Sequence, residues 1–165
     1  AGSVRRKSHP SAGTDQALSA LLVLALVVQL VLGACYRHLQ DGTQPAWALH
    51  GHLTMAAVVL ALAILVGLRA WGAHGDVSIL RRLGIALVVL VSIQVVLGIA
   101  ALVAVLVTSE GPVRIGEVVI TTAHQATGAA LLGTAVLSAA WMRRLLVTET
   151  ATAAPVAAGH APSAG

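Results

Sequence analysis

The chain has 165 residues, of which 58% are hydrophobic and 10% are charged, and its formal net charge is +4. Soluble domains carry about 45–50% apolar and about 25% charged residues, so this composition excludes a soluble enzyme and a nucleic-acid-binding domain. The basic residues cluster at the ends of apolar runs, where membrane topology explains them without a nucleic-acid partner.

Long uncharged runs divide the chain. They cover residues 16–36, 42–68, 83–109 and 118–142. Each run is long enough for a helix that crosses a bilayer, which needs about 20 apolar residues. We therefore predict an all-α integral membrane protein, a bundle of four transmembrane helices in contact with the lipid bilayer. The predicted spans are about 17–35, 48–68, 83–107 and 118–142.

The two ends of the chain differ from this membrane domain, which we place at 16–144. They are rich in Ala, Ser, Gly, Pro and Thr, a composition that is typical of poorly ordered segments. We expect a flexible N-terminal tail over 1–15 and a disordered C-terminal tail over 145–165. The single cysteine, Cys35, excludes an internal disulfide and a cysteine-based metal cluster.

Basic residues are distributed unequally between the two sides of a four-span arrangement. Only Arg37 and Arg114 fall on the outer side. The other basic residues fall on the opposite side: Arg5, Arg6, Lys7, Arg69, Arg81, Arg82, Arg143 and Arg144. Cytoplasmic loops carry the excess of Lys and Arg, so we expect a multi-pass protein of the cell inner membrane with both termini cytoplasmic.

A short sequence repeat relates the two halves of the chain. Gln29-Leu-Val-Leu-Gly33 in the first span recurs as Gln94-Val-Val-Leu-Gly98 in the third. A histidine follows each copy near the start of the next span. Two parallel helical hairpins of this kind imply a pseudo-two-fold axis along the membrane normal.

The histidines of the second and fourth spans are candidate metal ligands. His52 and His124 lie a few residues inside their spans, about 6–10 Å below the outer surface at 1.5 Å per residue. Ionisable residues at this depth face the bundle interior or a cofactor by default. Two inward imidazoles on diagonal helices can ligate a haem iron from both faces, and a small residue such as Gly128 lets a flat macrocycle approach. The alternative is that interhelical hydrogen bonds alone hold the two histidines.

The second span contains a further histidine, His50, which cannot face inward together with His52 because two residues on a helix are about 200° apart. We favour His52, since only His52 is followed one turn later by a small residue, as His124 is. Gln29 and Gly33, like Gln94 and Gly98, each share a helix face, and a glutamine in apolar surroundings requires a partner such as the cofactor or a ligand histidine.

The remaining histidines are assigned to solvated surface. They are His9 and His160 in the tails and His74 in the loop between the second and third spans, whereas His38 lies in the first outer loop beside Arg37. No histidine occurs in the cytoplasmic halves of the second and fourth spans, 59–68 and 132–142, to pair with His74. One haem b per chain is therefore the ceiling, and electron transfer across the whole membrane by this chain alone is disfavoured.

These residues resemble a known family. The segment 29–38, Gln-Leu-Val-Leu-Gly-Ala-Cys-Tyr-Arg-His, is similar to the Q-x-x-L-G-A-x-x-R segment of haem A synthases, the membrane enzymes of cytochrome oxidase assembly. Gln94 to Gly98, with Thr-Ala-His-Gln at 122–125 and with Gly128, resembles the corresponding half-repeat. The family has two four-helix halves with a histidine pair in each, and the resemblance covers roughly residues 17–142, one such half.

The chain also departs from the family pattern. Family members carry an arginine after the first ligand histidine and often a glutamate three residues before it, whereas Leu53 and Leu49 stand at these places. The resemblance therefore implies haem binding, while the catalytic residues are unknown. If the chain is an enzyme, it is a haem A synthase-like oxidoreductase that needs a second chain to complete it, because one half supplies one pocket.

Three functions are compatible with the sequence. The first is a b-type haem-binding protein related to haem A synthase that acts in haem A formation or in cytochrome oxidase assembly, as a homodimer if it is catalytic. The second is a small cytochrome b, an electron-transfer subunit of a larger respiratory or photosynthetic membrane complex. The third is a cofactor-free structural or assembly subunit.

The two outer arginines have a specific predicted role. A haem ligated near the outer surface would direct its propionates to that surface, where a guanidinium can hold a carboxylate with two hydrogen bonds. We expect Arg37, and secondarily Arg114, to pair with a propionate, with His38 as a further donor.

Overall fold

The structure is a computed structural model that describes residues 7–39, 46–107 and 114–148. These residues form four long helices and two three-residue strands. The helices are α1 (Ala12–His38), α2 (Ala46–Gly72), α3 (Ser78–Val107) and α4 (Ile115–Leu145). The strands are β1 (Lys7–His9) and β2 (Leu146–Thr148). Each predicted span lies inside one helix, and each helix extends beyond its span at one or both ends.

The helices form an antiparallel bundle in which each packs against the next in the chain and α4 packs back against α1. Because the helices pack in this ring order, α2 and α4 stand at opposite corners. The ends Ala12, Gly72, Ser78 and Leu145 meet at one end of the bundle, because the start of α1 contacts the end of α2 and the segment that follows α4.

Three helices are long and apolar enough to cross a membrane: α1, α2 and α3 over Ser78–Ala104. Large apolar side chains on their outer faces are exposed, for example Leu30, Leu68 and Val96, which is consistent with contact to lipid. The prediction of a fourth membrane span at 118–142 is wrong. The helix forms there, but its first half includes His124 and Gln125 among threonines and glycines and is not apolar enough.

Residues expected to belong to the flexible N-terminal tail take part in the fold. β1 pairs with β2 in parallel, with Lys7 opposite Leu146 and His9 opposite Thr148. The side chain of Gln16 donates a hydrogen bond of 2.9 Å to the carbonyl of Leu146, which ties the start of α1 to the end of α4. The two described ends of the chain therefore lie side by side. Residues 1–6 and 149–165 of the two predicted tails lie outside the described residues.

The buried core occupies one half of the bundle along its length. We call this part, residues 12–26, 59–91 and 131–146, the core half. Its fully buried large side chains include Leu22, Leu80, Leu87, Leu131 and Met142. Glycines bring α2 and α3 together here: a Cβ added to Gly84 would lie 2.5 Å from the carbonyl oxygen of Gly67. Small residues at such a crossing allow close backbone packing, the usual device of membrane helices.

Candidate functional site

The other half of the bundle contains both candidate ligand histidines and has little core. We call this part, residues 27–39, 46–58, 92–107 and 114–130, the histidine half. Among its residues whose burial the structure describes, Ala48 is the only one that is fully buried. Interior positions of a four-helix bundle are normally close-packed. The side chains of the histidine half are therefore less buried than those of the core half.

His52 on α2 contacts the glutamine of the first repeat copy on α1. Its Nδ1 lies 3.2 Å from the backbone oxygen of Gln29, and its Nε2 lies 3.2 Å from Nε2 of the Gln29 side chain. The partners assign the tautomer: Nδ1–H donates to the carbonyl, and the lone pair of Nε2 accepts from the amide. Gly33 makes room for the ring, because a Cβ at this glycine would lie 3.0 Å from Cε1 of His52.

His124 on α4 repeats this arrangement against α3. Its Nε2 lies 3.4 Å from Nε2 of Gln94, and a Cβ added to Gly98 would lie 3.1 Å from Cε1 of the imidazole. The two copies of the Gln-x-x-x-Gly repeat thus each hold one histidine of the following helix.

Several polar atoms of this arrangement are buried without a hydrogen-bond partner within the described part of the chain. They are Oε1 of Gln29, Oε1 of Gln94 and Nδ1 of His124. A buried polar atom without a partner costs about 1–3 kcal/mol, so three such atoms in one region indicate that a ligand or water belongs there. Glutamine and neutral imidazole are both able to contact or coordinate a metal-bearing cofactor.

The other predicted site residues lie around this pair without joining it. His50 is exposed, and its Nδ1 lies 2.6 Å from the carbonyl of Ala46 on its own helix. Arg37, His38 and Arg114 are also exposed, at the end of the bundle nearest to the histidine half. Of the histidines on α2, His52 is therefore the one whose hydrogen-bond partners lie on α1.

Gly128 has a different neighbour from the one expected. A Cβ at Gly128 would lie 3.1 Å from Nε2 of Gln94, so this glycine accommodates the glutamine amide. The sequence predicts that the small size of Gly128 lets a macrocycle approach. The space it makes is used by the residue that contacts His124.

The core half contains a second polar cluster, which the sequence analysis missed. Asp15 is 2% exposed and accepts hydrogen bonds from Arg69 Nε at 2.5 Å, His74 Nε2 at 2.8 Å and Ser11 Oγ at 2.7 Å. The ring of His9 meets the ring of His74 edge-on, with centroids 4.9 Å apart. This cluster joins β1, the start of α1, the end of α2 and the turn after it.

The assignment of His74 and His9 to solvated surface is therefore wrong. His74 is fully buried and His9 is half-buried, because the chain before α1 folds over the turn that follows α2. His74 also has partners, Asp15 and His9, that lie outside the predicted membrane spans. One signal was available in the sequence: Asp15 stands directly before an apolar run, where an acidic residue requires a cation or another partner.

Two shallow apolar grooves on the surface lie outside both clusters. One runs between α1 and α4 past Leu24 and Val136, and the other runs between α1 and α2 past Leu24 and Val58. Arg143 at the edge of the first groove is the only charged side chain among their lining residues. Such surfaces suit lipid chains and offer no catalytic group.

Comparison of the chain with protein-family models, with curated proteins and with solved structures finds no match.

Proposed function

We propose that the chain is a membrane haem protein that binds one haem b between His52 and His124, as a relative of the haem A synthases acting in haem A formation or oxidase assembly. The observation that carries this proposal is the pair of His–Gln–Gly units in the half of the bundle that lacks a core. The repeat of Gln29 to Gly33 at Gln94 to Gly98 supports it, because a pseudo-two-fold arrangement offers equivalent ligands from opposite helices.

The residues present fit such a cofactor. The carbonyl of Gln29 holds His52 in the tautomer whose Nε2 lone pair points away from the backbone, which is the common second-shell arrangement for a ligating histidine. The glutamine amides now contact both Nε2 atoms and would have to turn aside on loading. The buried Oε1 atoms of the two glutamines, which have no hydrogen-bond partner among the described residues, could then accept hydrogen bonds. A bis-histidine haem supplies one-electron redox chemistry.

The orientation of the protein follows from the charges. Lys7, Arg69, Arg81 and Arg143 lie at the end of the bundle where the two described termini meet, and we place this end in the cytoplasm. The histidine half then faces the outer side. The exposed Arg37 and Arg114 would be available there to the propionates, and Arg37→Gln should weaken haem retention in detergent or shift the midpoint potential.

The experiment for the ligands is a reduced-minus-oxidised absorption spectrum of the protein purified from haem-replete cells. We expect a low-spin b-type spectrum with about one haem per chain. His52→Ala and His124→Ala should each abolish it, and His50→Ala serves as the matched control because His50 is exposed on the same helix. A normal spectrum in the His124→Ala protein would exclude the site. Loss of the spectrum in the His50→Ala protein only would identify His50 as the ligand on α2.

A second experiment separates an enzyme from an electron carrier. Haem is extracted from the protein after turnover in cells and is analysed by mass. Hydroxylated or formylated haem would indicate a haem A synthase-like activity, for which a homodimer would complete the second pocket. Unmodified haem b would favour a small cytochrome b of a larger membrane complex.

A cofactor-free role has one observation in its favour. Both ring nitrogens of His52 already have partners on Gln29, which is how an interhelical hydrogen bond would hold α1 against α2. A purified protein without haem, from cells supplied with haem, would support this structural role. His52→Leu should then lower thermal stability and change nothing else.

A further inference from the structure

The polar cluster of the core half has the composition of a transition-metal site. His9, Asp15 and His74 each offer one ligand atom, and these three atoms lie within 4.8 Å of one another. Ligand atoms around a tetrahedral zinc ion at about 2.0–2.1 Å from the metal stand roughly 3.4 Å apart. The widest-spaced atoms of the cluster therefore need to approach each other by up to about 1.4 Å.

The cluster is enclosed, which distinguishes it from a chance surface grouping. His74 is fully buried and Asp15 is nearly so, and Nδ1 of His74 has no hydrogen-bond partner within the described residues. The Nε2 atom of the same ring is 2.8 Å from Oδ2 of Asp15, so a single proton now bridges two atoms that both serve as metal ligands.

We propose that His9, Asp15 and His74 bind a divalent transition-metal ion of the zinc class. Imidazole and carboxylate donors suit Zn²⁺ and similar ions, and three protein ligands leave a position for water. The ion displaces the proton between His74 and Asp15, and Arg69 remains on Oδ1 as the outer partner that orients the carboxylate. The side chain of Arg69 is 32% exposed, so water solvates part of its positive charge beside the cation.

The metal would fasten the ends of the chain. His9 is the last residue of β1, Asp15 belongs to the first turns of α1, and His74 lies in the turn between α2 and α3. A single ion bound to all three would tie the strand pair and two helices together at the end of the bundle opposite to the histidine half. The site is independent of the proposed haem ligands.

The test is a titration of the purified, EDTA-treated protein with CoCl₂, followed by displacement with ZnCl₂. We expect the visible bands of low-coordinate Co²⁺ to saturate near one equivalent and to disappear on addition of Zn²⁺. His9→Phe keeps a ring against His74 but removes the donor, so it should fold and bind Co²⁺ at least about tenfold more weakly. His38→Phe, at an exposed histidine outside the cluster, is the matched control and should bind as the wild type does.

Two results would overturn the site: no Co²⁺ bands in the wild-type protein, or equal affinity in the wild-type and His9→Phe proteins. The double variant His52→Ala/His124→Ala separates this site from the proposed haem site. It should retain the Co²⁺ bands, and their loss would place the metal on those histidines and refute the assignment. The result of the Co²⁺ titration does not depend on whether the protein binds haem.

Discussion

The buried carboxylate of Asp15 provides a direct measure of how the bundle is held together. We predict that Asp15→Asn destabilises the protein strongly, although the substitution preserves the shape of the side chain. The carboxylate accepts three hydrogen bonds, and Arg69 and His74 are two of the donors. An amide cannot accept at both ends, and it leaves the guanidinium without its counter-charge.

The magnitude follows from burial. Removing one partner of a buried ion pair costs about 3–5 kcal/mol, because the remaining charge is left without compensation. Since 32% of the Arg69 side chain is exposed, water recovers some of this energy, and we take the lower end, about 3 kcal/mol. For a chain of this size each kcal/mol corresponds to a shift of about 2–4 °C, so the thermal midpoint should fall by about 6–12 °C.

The assay is differential scanning fluorimetry in detergent with EDTA present, so that bound metal makes no contribution. Asp76→Asn is the matched control, because Asp76 also accepts from a cation, Lys7 at 2.6 Å, but is largely exposed. Exposed pairs contribute little, and the control should lie within about 2 °C of the wild type. An equally small shift for Asp15→Asn would refute the assignment of Asp15 as the buried centre of this end of the bundle.

Two further predictions concern the same half of the molecule. Gly84→Val should lower the free energy of unfolding by about 3 kcal/mol or more, because its Cβ would lie 2.5 Å from the backbone oxygen of Gly67. Gly133→Val, where a Cβ meets nothing within 4 Å, should be near neutral in the same denaturation experiment. The hydrogen bond from Lys7 lowers the pKa of Asp76 below its ordinary 3.8, so this pair stabilises the fold above that pH and loses its contribution as the pH falls through the folded pKa. The small stability difference between wild type and Asp76→Asn should therefore vanish in strong acid, and a difference that persists there would contradict this.

The helices themselves were predictable, since the uncharged runs identify all four. The ends of the helices were not predictable, because helical hydrogen bonding continues past the apolar residues into polar turns. α1 begins at Ala12, several residues before the predicted start of the span at 17, and the polar Asp15 in this additional turn is buried with Ser11, Arg69 and His74 as hydrogen-bond donors. The length of the uncharged run also overstated how apolar the fourth helix is, because its uncharged residues include the polar His124 and Gln125.

The contacts between the two histidines and the glutamines of the repeat were also predictable from their spacing in the sequence. His52 contacts Gln29 and His124 contacts Gln94, as the proposed partnership of glutamine and histidine requires. Their role as haem ligands stays a prediction. The burial of His74 was not predictable from the local sequence, because a histidine between Gly72 and Gly75 is typical of an exposed turn. Its burial depends on a segment about 60 residues earlier in the chain, and no local pattern reports such a contact.

The two halves of the bundle differ in packing, because most of the buried side chains lie in the core half. A bundle with little apolar burial in one half must offset this in the other half, which has the buried core, the glycine crossing and the ion pair between Asp15 and Arg69. If the histidine half is kept open to receive a cofactor, then weakening the core half should cost stability while the binding geometry persists until the protein unfolds. The Asp15→Asn protein should accordingly keep the spectrum of the wild type at low temperature although its thermal midpoint falls. A changed spectrum in the folded variant would mean that the ion pairs position the histidines as well, and that the two halves are energetically one unit.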